Sequence, residues 1–155
     1  ALLEVLAPIF DHVIALDRSE AQLDLARERA ARRGYRNVSF VCGEIDGAEI
    51  RAALNKRSKT KNGKNKRSGA DAVFAARVLH HAAVPAKAMR ALVDLARKPA
   101  RQHAGGHVLV LDYDHHRDEK LREQQADLWL GFSRNELEVM AEESGLIDGV
   151  VSQIP

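Results

Sequence analysis

The sequence predicts an α/β domain, a mostly parallel sheet with helices on both faces. Three observations carry this. Short, nearly unbroken apolar runs recur along the chain, as strands covered on both faces require. Segments of helical period separate them, several with N-cap residues in front and glycine behind. This alternation is the pattern of right-handed strand–helix–strand units. At 155 residues the chain is one domain, long enough to enclose a core.

Leu2, Leu3, Val5, Leu6 and Ile9 form one apolar stripe, which predicts a helix over residues 1–10. Val13 to Leu16 is a strand ending at Asp17. Ser19 with Gln22 makes a capping box for a helix that carries Ala21, Leu23, Leu25 and Ala26 and stops at Gly34. Asn37 to Cys42 is the next strand, ending at Gly43-Glu44, and a short helix over Ala48 to Leu54 follows. Asn55 to Gly69 lacks apolar residues and is expected to be a disordered basic loop. Asp71 to Ala76 is a strand, and Pro85 opens a helix over Ala86 to Arg97. His107 to Tyr113 is the clearest strand, launched from Gly105-Gly106. Helices are expected over Glu119 to Leu130, broken at Gly131, and over Ser133 to Ser144, capped by Ser133 with Glu136 and ended by Gly145. Val150 to Ile154 is a candidate final strand.

Bulk composition excludes several classes. The apolar fraction of 45% is ordinary for a soluble globular chain. No run approaches the roughly 18 apolar residues of a membrane span, and no signal peptide is visible. Cys42 is the single cysteine, so an intrachain disulfide and a cysteine-based zinc site are excluded, and a reducing cytoplasm is the expected setting. The net charge of +2 hides an asymmetry. Seven basic residues lie between Lys56 and Arg67; without them 17 basic residues face 22 acidic ones, a net of −5. The basic character belongs to one loop. It most simply reads as a solvated loop, with nucleic-acid contact through 56–67 as the alternative.

The order of motifs carries a resemblance. An acid closes the second-strand motif (VIALD), Gly-Glu follows the third (VCGE), Ala-Asp opens the fourth (ADAVFAARVLHH), and Gly-Gly leads into the fifth (GGHVLVLDY). In this order and spacing the chain resembles class I S-adenosylmethionine-dependent methyltransferases, which implies a Rossmann-like sheet. The segment LREQQADLWLGFSRNELEVMAEESGL resembles methyltransferase domains fused to ArsR-type regulators, which are similar to ubiquinone/menaquinone C-methyltransferases. The resemblance covers residues 1–155 except the insertion at 55–69. It implies a family sheet order of 3-2-1-4-5-7-6. The first strand with its Gly-rich loop and the last strand have no counterpart in this sequence, so the expected fold is truncated at both ends. The implied cofactor is S-adenosylmethionine, the implied activity methyl transfer, and the implied partner a small-molecule acceptor. A non-catalytic, ligand-sensing domain or an inactive fragment is the competing reading. Oligomeric state is not legible, though an incomplete sheet offers edges for a second chain.

The resemblance places the cofactor residues. A carboxylate at a strand tip grips ribose hydroxyls, a role that falls to Asp17 with Arg18 beside it. Gly43 and Glu44 face the adenine, Glu44 accepting from its amino group and the Ile45 amide facing the ring; Asp46 competes with Glu44. Ala76 and Arg77 line the methionine end. His80 and His81 suggest a base or a metal pair, but neighbours on a helical turn do not share a face. The family pattern makes them structural, and no metal site is assigned. Asp112, Tyr113, Asp114, His115 and His116 crowd the fifth strand's tip, where substrate enters such sheets. His81, Tyr113 and His115 are the candidate substrate contacts. Trp129 and Phe132 read as core rather than a substrate cage.

Overall fold

The computed structural model describes residues 2–58, 68–101, 104–120, 122 and 127–154. The chain forms two compact units, Ala1–Ser68 and Gly69–Pro155.

The first unit is built as helix α1 (Leu2–Leu6), strand β1 (Val13–Asp17), helix α2 (Glu20–Arg32), strand β2 (Val38–Cys42) and helix α3 (Ala48–Ser58). β1 and β2 pair in parallel, from Val13↔Val38 to Asp17↔Cys42. Helix α2 packs on both strands and α3 on β2. The apolar side chains of Ala7, Leu23, Ala30 and Ile50 are buried. Asn37 ties the unit together, because its side-chain amide donates to the carbonyls of Ala7 and Phe10, both at 2.8 Å.

The second unit holds strand β3 (Ala72–Ala76), a 3₁₀ turn (Leu79–His81), helix α4 (Pro85–Leu95), strand β4 (His107–Leu111) and helix α5 (Arg134–Glu143). β3 and β4 are parallel, from Ala72↔His107 to Ala76↔Leu111. Helix α4 supplies most of this core with Ala88, Met89, Ala91, Leu92, Val93 and Leu95, and it packs on β3, on α5 and on the 3₁₀ turn. Gly106 lets the chain pass tightly into β4. A Cβ there would lie 2.3 Å from the Ala70 carbonyl oxygen.

The expected Rossmann-like α/β architecture is therefore present, and its strands pair as the resemblance implies: second with third, fourth with fifth. Among the described residues each sheet has two strands. That changes the expected burial. Val13 to Leu16 are half-buried rather than enclosed, and β4 alternates, with Leu109 and Leu111 exposed.

Several element boundaries are corrected. The first helix ends at Leu6, and a turn carries the chain over Pro8, whose nitrogen has no proton to give to a helical carbonyl. Helix α3 runs on through Asn55 to Ser58, so the basic run starts inside a helix; residues 59–67 lie outside the described part. Of the expected helix Glu119–Leu130, residues 121 and 123–126 lie outside it too, and Leu128 to Leu130 form bends instead of helix. Residues 150–154 are not a strand: β-branched composition alone makes no ladder without a partner. No helix among the described residues is long and apolar enough to cross a membrane.

Candidate functional site

In the first unit, the parallel ladder brings the ends of β1 and β2 together. The Gly43 amide donates to the Asp17 carbonyl at 3.0 Å, so the acid and the Gly-Glu turn sit side by side. Asp17 is exposed at the strand tip. Its Oδ1 accepts from the Ser19 amide at 2.8 Å. Ser19 Oγ in turn accepts from the Gln22 amide at 3.3 Å, which caps α2. Only half of the expected capping box forms, because Asp17 rather than Gln22 takes the Ser19 amide. Asp17 thus begins the turn with one oxygen and offers the other to solvent. Arg18 is exposed beside it.

After Gly43 the chain makes a tight turn closed by the Gly47 amide on the Glu44 carbonyl at 3.0 Å. Glu44 and Asp46 are exposed and Ile45 is half-buried. The Glu49 carboxylate lies over this turn, so close that a Cβ on Gly47 would be 2.7 Å from its Oε2. Nothing in the sequence marked Glu49 beyond its place in the first turn of α3. Cys42 is exposed at the same tip and its thiol donates to the Arg18 carbonyl at 3.4 Å. The Glu20 carboxylate beside it holds the thiol pKa above its usual value, chiefly by hydrogen bonding. Glu20 itself is held below the usual carboxylate range, first by Arg27 and then by Cys42.

In the second unit, Ala76 and Arg77 close β3, and both are exposed. Arg77 has φ +60°, which a side chain adopts only with strain, while its amide extends the ladder to the Leu111 carbonyl at 2.8 Å. Its guanidinium lies 4.8 Å from the Tyr113 ring centre. Tyr113 is half-buried, with the His80 ring at 4.9 Å and the His116 ring at 5.9 Å. His115 is exposed; its amide donates to Asp114 Oδ1 at 2.8 Å.

Asp112 departs from its expected place on an open substrate loop. Its side chain is fully buried. Oδ1 lies 2.5 Å from His80 Nδ1 and accepts from the Tyr113 amide at 2.9 Å, while Oδ2 accepts from the Leu79 amide at 2.9 Å. One carboxylate therefore pins the 3₁₀ turn to the end of β4.

His80 and His81 do meet a common partner, contrary to the expectation from adjacency. Residues 127–129 fold back over the 3₁₀ turn. The amides of Leu128 and Trp129 both donate to the His80 carbonyl, at 2.9 and 3.1 Å, and the Trp129 indole donates to the Ala82 carbonyl at 2.9 Å. This delivers Asp127 Oδ1 to 3.6 Å from His80 Nε2 and 3.5 Å from His81 Nδ1. The side chains of His80 and Asp127 are fully buried and that of His81 is one-third exposed. Asp127 was missed because only its apolar setting, ADLWL, signals a buried acid.

Gly131, at φ +78°, makes this return possible. A Cβ there would lie 2.2 Å from the Asp114 carbonyl oxygen. Trp129 and Phe132 part company: Phe132 is core, as expected, whereas Trp129 is 41% exposed and acts through its indole N–H.

The parallel strands, the acid at the tip of β1 and the Gly-Glu turn after β2 are the arrangement that the resemblance to class I methyltransferases implies. The profile of the family described as a methyltransferase domain matches residues 5–144, so the chain belongs to that family. A candidate methyltransferase of Bacillus halodurans C-125 shares the fold at a TM-score of 0.68 and 18% identity, over 93% of this chain and 57% of that one. The YcgJ protein of Bacillus subtilis aligns at 0.61 and 17% identity, over 91% and 55%. The chain spans a little over half the length of these two structures. A comparison with curated proteins gives no match.

Proposed function

We propose that this domain binds S-adenosylmethionine and transfers its methyl group to a small-molecule acceptor. The observation that carries the reading is the pairing at the tips of β1 and β2. Asp17 and the Glu44–Gly47 turn are held side by side by the Gly43 amide on the Asp17 carbonyl.

These residues fit the cofactor. Oδ1 of Asp17 is used by the Ser19 amide, which fixes the carboxylate in orientation and leaves Oδ2 for ribose hydroxyls. The exposed carboxylate of Glu44 suits an exocyclic amino donor, and the Ile45 amide is the donor proposed for the ring. Arg18 flanks the ribose end. Ala76 and Arg77, at the end of β3, are the residues proposed for the methionine end.

The cofactor, when bound, supplies an activated methyl group on a sulfonium. The protein's work is then alignment and exclusion of water rather than strong acid–base chemistry. The substrate contacts proposed are His81, Tyr113 and His115. Tyr113 presents an aromatic face already occupied by Arg77 on one side, so an acceptor entering there competes with a cation–π contact.

The test is calorimetric titration of S-adenosylmethionine into wild type and Asp17→Asn. Asparagine keeps the acceptor for the Ser19 amide, so the turn survives while the charge toward ribose is lost. Saturable binding weakened about tenfold or more by the substitution is expected, the loss of roughly one charge-assisted hydrogen bond. Absence of binding to the folded chain, or equal binding by the variant, rejects the reading.

A further inference from the structure

We propose that His80, His81 and Asp127 form a binding site for a divalent transition-metal cation of the zinc type. The assignment is independent of the cofactor reading, since none of the three residues is assigned to the cofactor, and its test reads metal uptake rather than the substrate contact proposed for His81.

Three observations carry it. First, the cluster holds unsatisfied polar atoms. His80 Nε2 and both oxygens of Asp127 are buried without a hydrogen-bond partner. A buried carboxylate with no donor costs several kcal/mol by order of magnitude, and the site gives Asp127 none among the described residues.

Second, the tautomer is set from behind. With a proton on Nδ1 donated to Asp112, neutral His80 directs the lone pair of Nε2 toward Asp127. Two acceptors then face each other, a repulsive arrangement that a cation between them reverses. A carboxylate behind the histidine is also the usual orienting partner of a metal-bound imidazole.

Third, the distances suit a metal better than a proton. A charge-assisted N–H···O bond closes to about 2.7–2.9 Å. The separations here are 3.6 and 3.5 Å, too long for hydrogen bonds. Metal–ligand bonds of about 2.1 Å in tetrahedral geometry place neighbouring ligand atoms about 3.4 Å apart. One ligand atom from each of the three residues lies within 4.8 Å of the others.

Two imidazoles and one carboxylate suit zinc and its neighbours rather than magnesium or calcium, which prefer all-oxygen shells. Three protein ligands leave a fourth position for water or another donor. The backbone bonds from Leu128 and Trp129 to the His80 carbonyl hold the Asp127 segment in place, so the ion would clip residues 127–129 onto the 3₁₀ turn. His81, the exposed member, is where solvent reaches the cluster.

The experiment is titration of Zn²⁺ into the full chain after treatment with a chelator, followed by Co²⁺ as a spectroscopic probe. One equivalent of Zn²⁺ per chain is expected, with a rise in Tm and intense visible Co²⁺ bands of a low-coordinate site. His81→Gln and Asp127→Asn should each weaken Zn²⁺ binding at least tenfold. His81→Gln is the decisive variant because its side chain is partly exposed and its loss spares the core, as circular dichroism would verify. No uptake by the folded wild type, or uptake that survives His81→Gln, overturns the assignment.

Discussion

Nδ1 of His80 lies 2.5 Å from Oδ1 of Asp112, with both side chains fully buried. The same carboxylate accepts the amides of Tyr113 and Leu79, so it serves three donors from two segments. Removing it strands all three. Asp112→Ala is expected to destabilise the second unit by about 3 kcal/mol or more. Asparagine rescues only in part, since its oxygen can still accept while its NH₂ must face one of the donors that Asp112 accepts. Urea denaturation of both variants checks this, with Asp112→Asn falling between wild type and alanine.

Arg77 combines a strained backbone with a favourable ring contact. The left-handed conformation costs a non-glycine residue about 1 kcal/mol, and an exposed cation–π contact returns roughly 0.5–1 kcal/mol. Arg77→Gly relieves the first and loses the second. Arg77→Ala keeps the strain and loses the contact. The alanine variant is therefore expected to be less stable than the glycine variant by about 1 kcal/mol. Equal denaturation midpoints would show that the backbone at Arg77 is not strained in solution.

Much of this architecture was legible in the residues, for reasons that differ by element. The four strands announced themselves because apolar runs such as VIALD and HVLVL have no helical period to compete with. Helices α2 and α5 were marked by Ser19 and Ser133, whose caps both form. Ser19 also shows the limit: the pattern supplied Gln22, yet Asp17, two residues back, takes the amide at 2.8 Å in a side-chain-to-backbone turn. The exposed tips of β1 and β2 were readable for the same reason as the strands that end there. The His80–Asp127 cluster was not. It depends on residues 127–129 folding back through main-chain hydrogen bonds, and side-chain spacing does not encode those.

Cys42 provides a chemical probe of the strand tips. Glu20 raises its pKa, so at neutral pH it carries less thiolate than an ordinary cysteine. Alkylation by iodoacetamide is expected to be slow at pH 7 and to rise with pH later than for a free thiol. Glu20→Gln removes the negative charge, and should speed the reaction several-fold at pH 7.5. An unchanged rate in this variant would mean the carboxylate does not face the thiol.

The capping box of α5 couples stability to pH. Ser133 Oγ accepts from the Glu136 amide at 3.3 Å, while Glu136 Oε2 accepts from the Ser133 amide at 2.8 Å and from its hydroxyl at 2.7 Å. The Ser133 hydroxyl, followed by its amide, holds the Glu136 pKa below the usual 4.5. A depressed carboxylate pKa means that the unfolded chain takes up the proton first. The stabilisation is therefore complete above the unfolded pKa and is lost as pH falls through the lower folded value. Ser133→Ala should cost about 1 kcal/mol at pH 7 and flatten the acid limb of the stability curve below pH 4.5. Glu136→Gln should flatten the same limb while leaving the serine cap on the helix amide. Urea midpoints measured across that range for the three proteins separate the two halves of the box. Parallel acid limbs in all three would show that Glu136 stays solvated rather than closed onto Ser133.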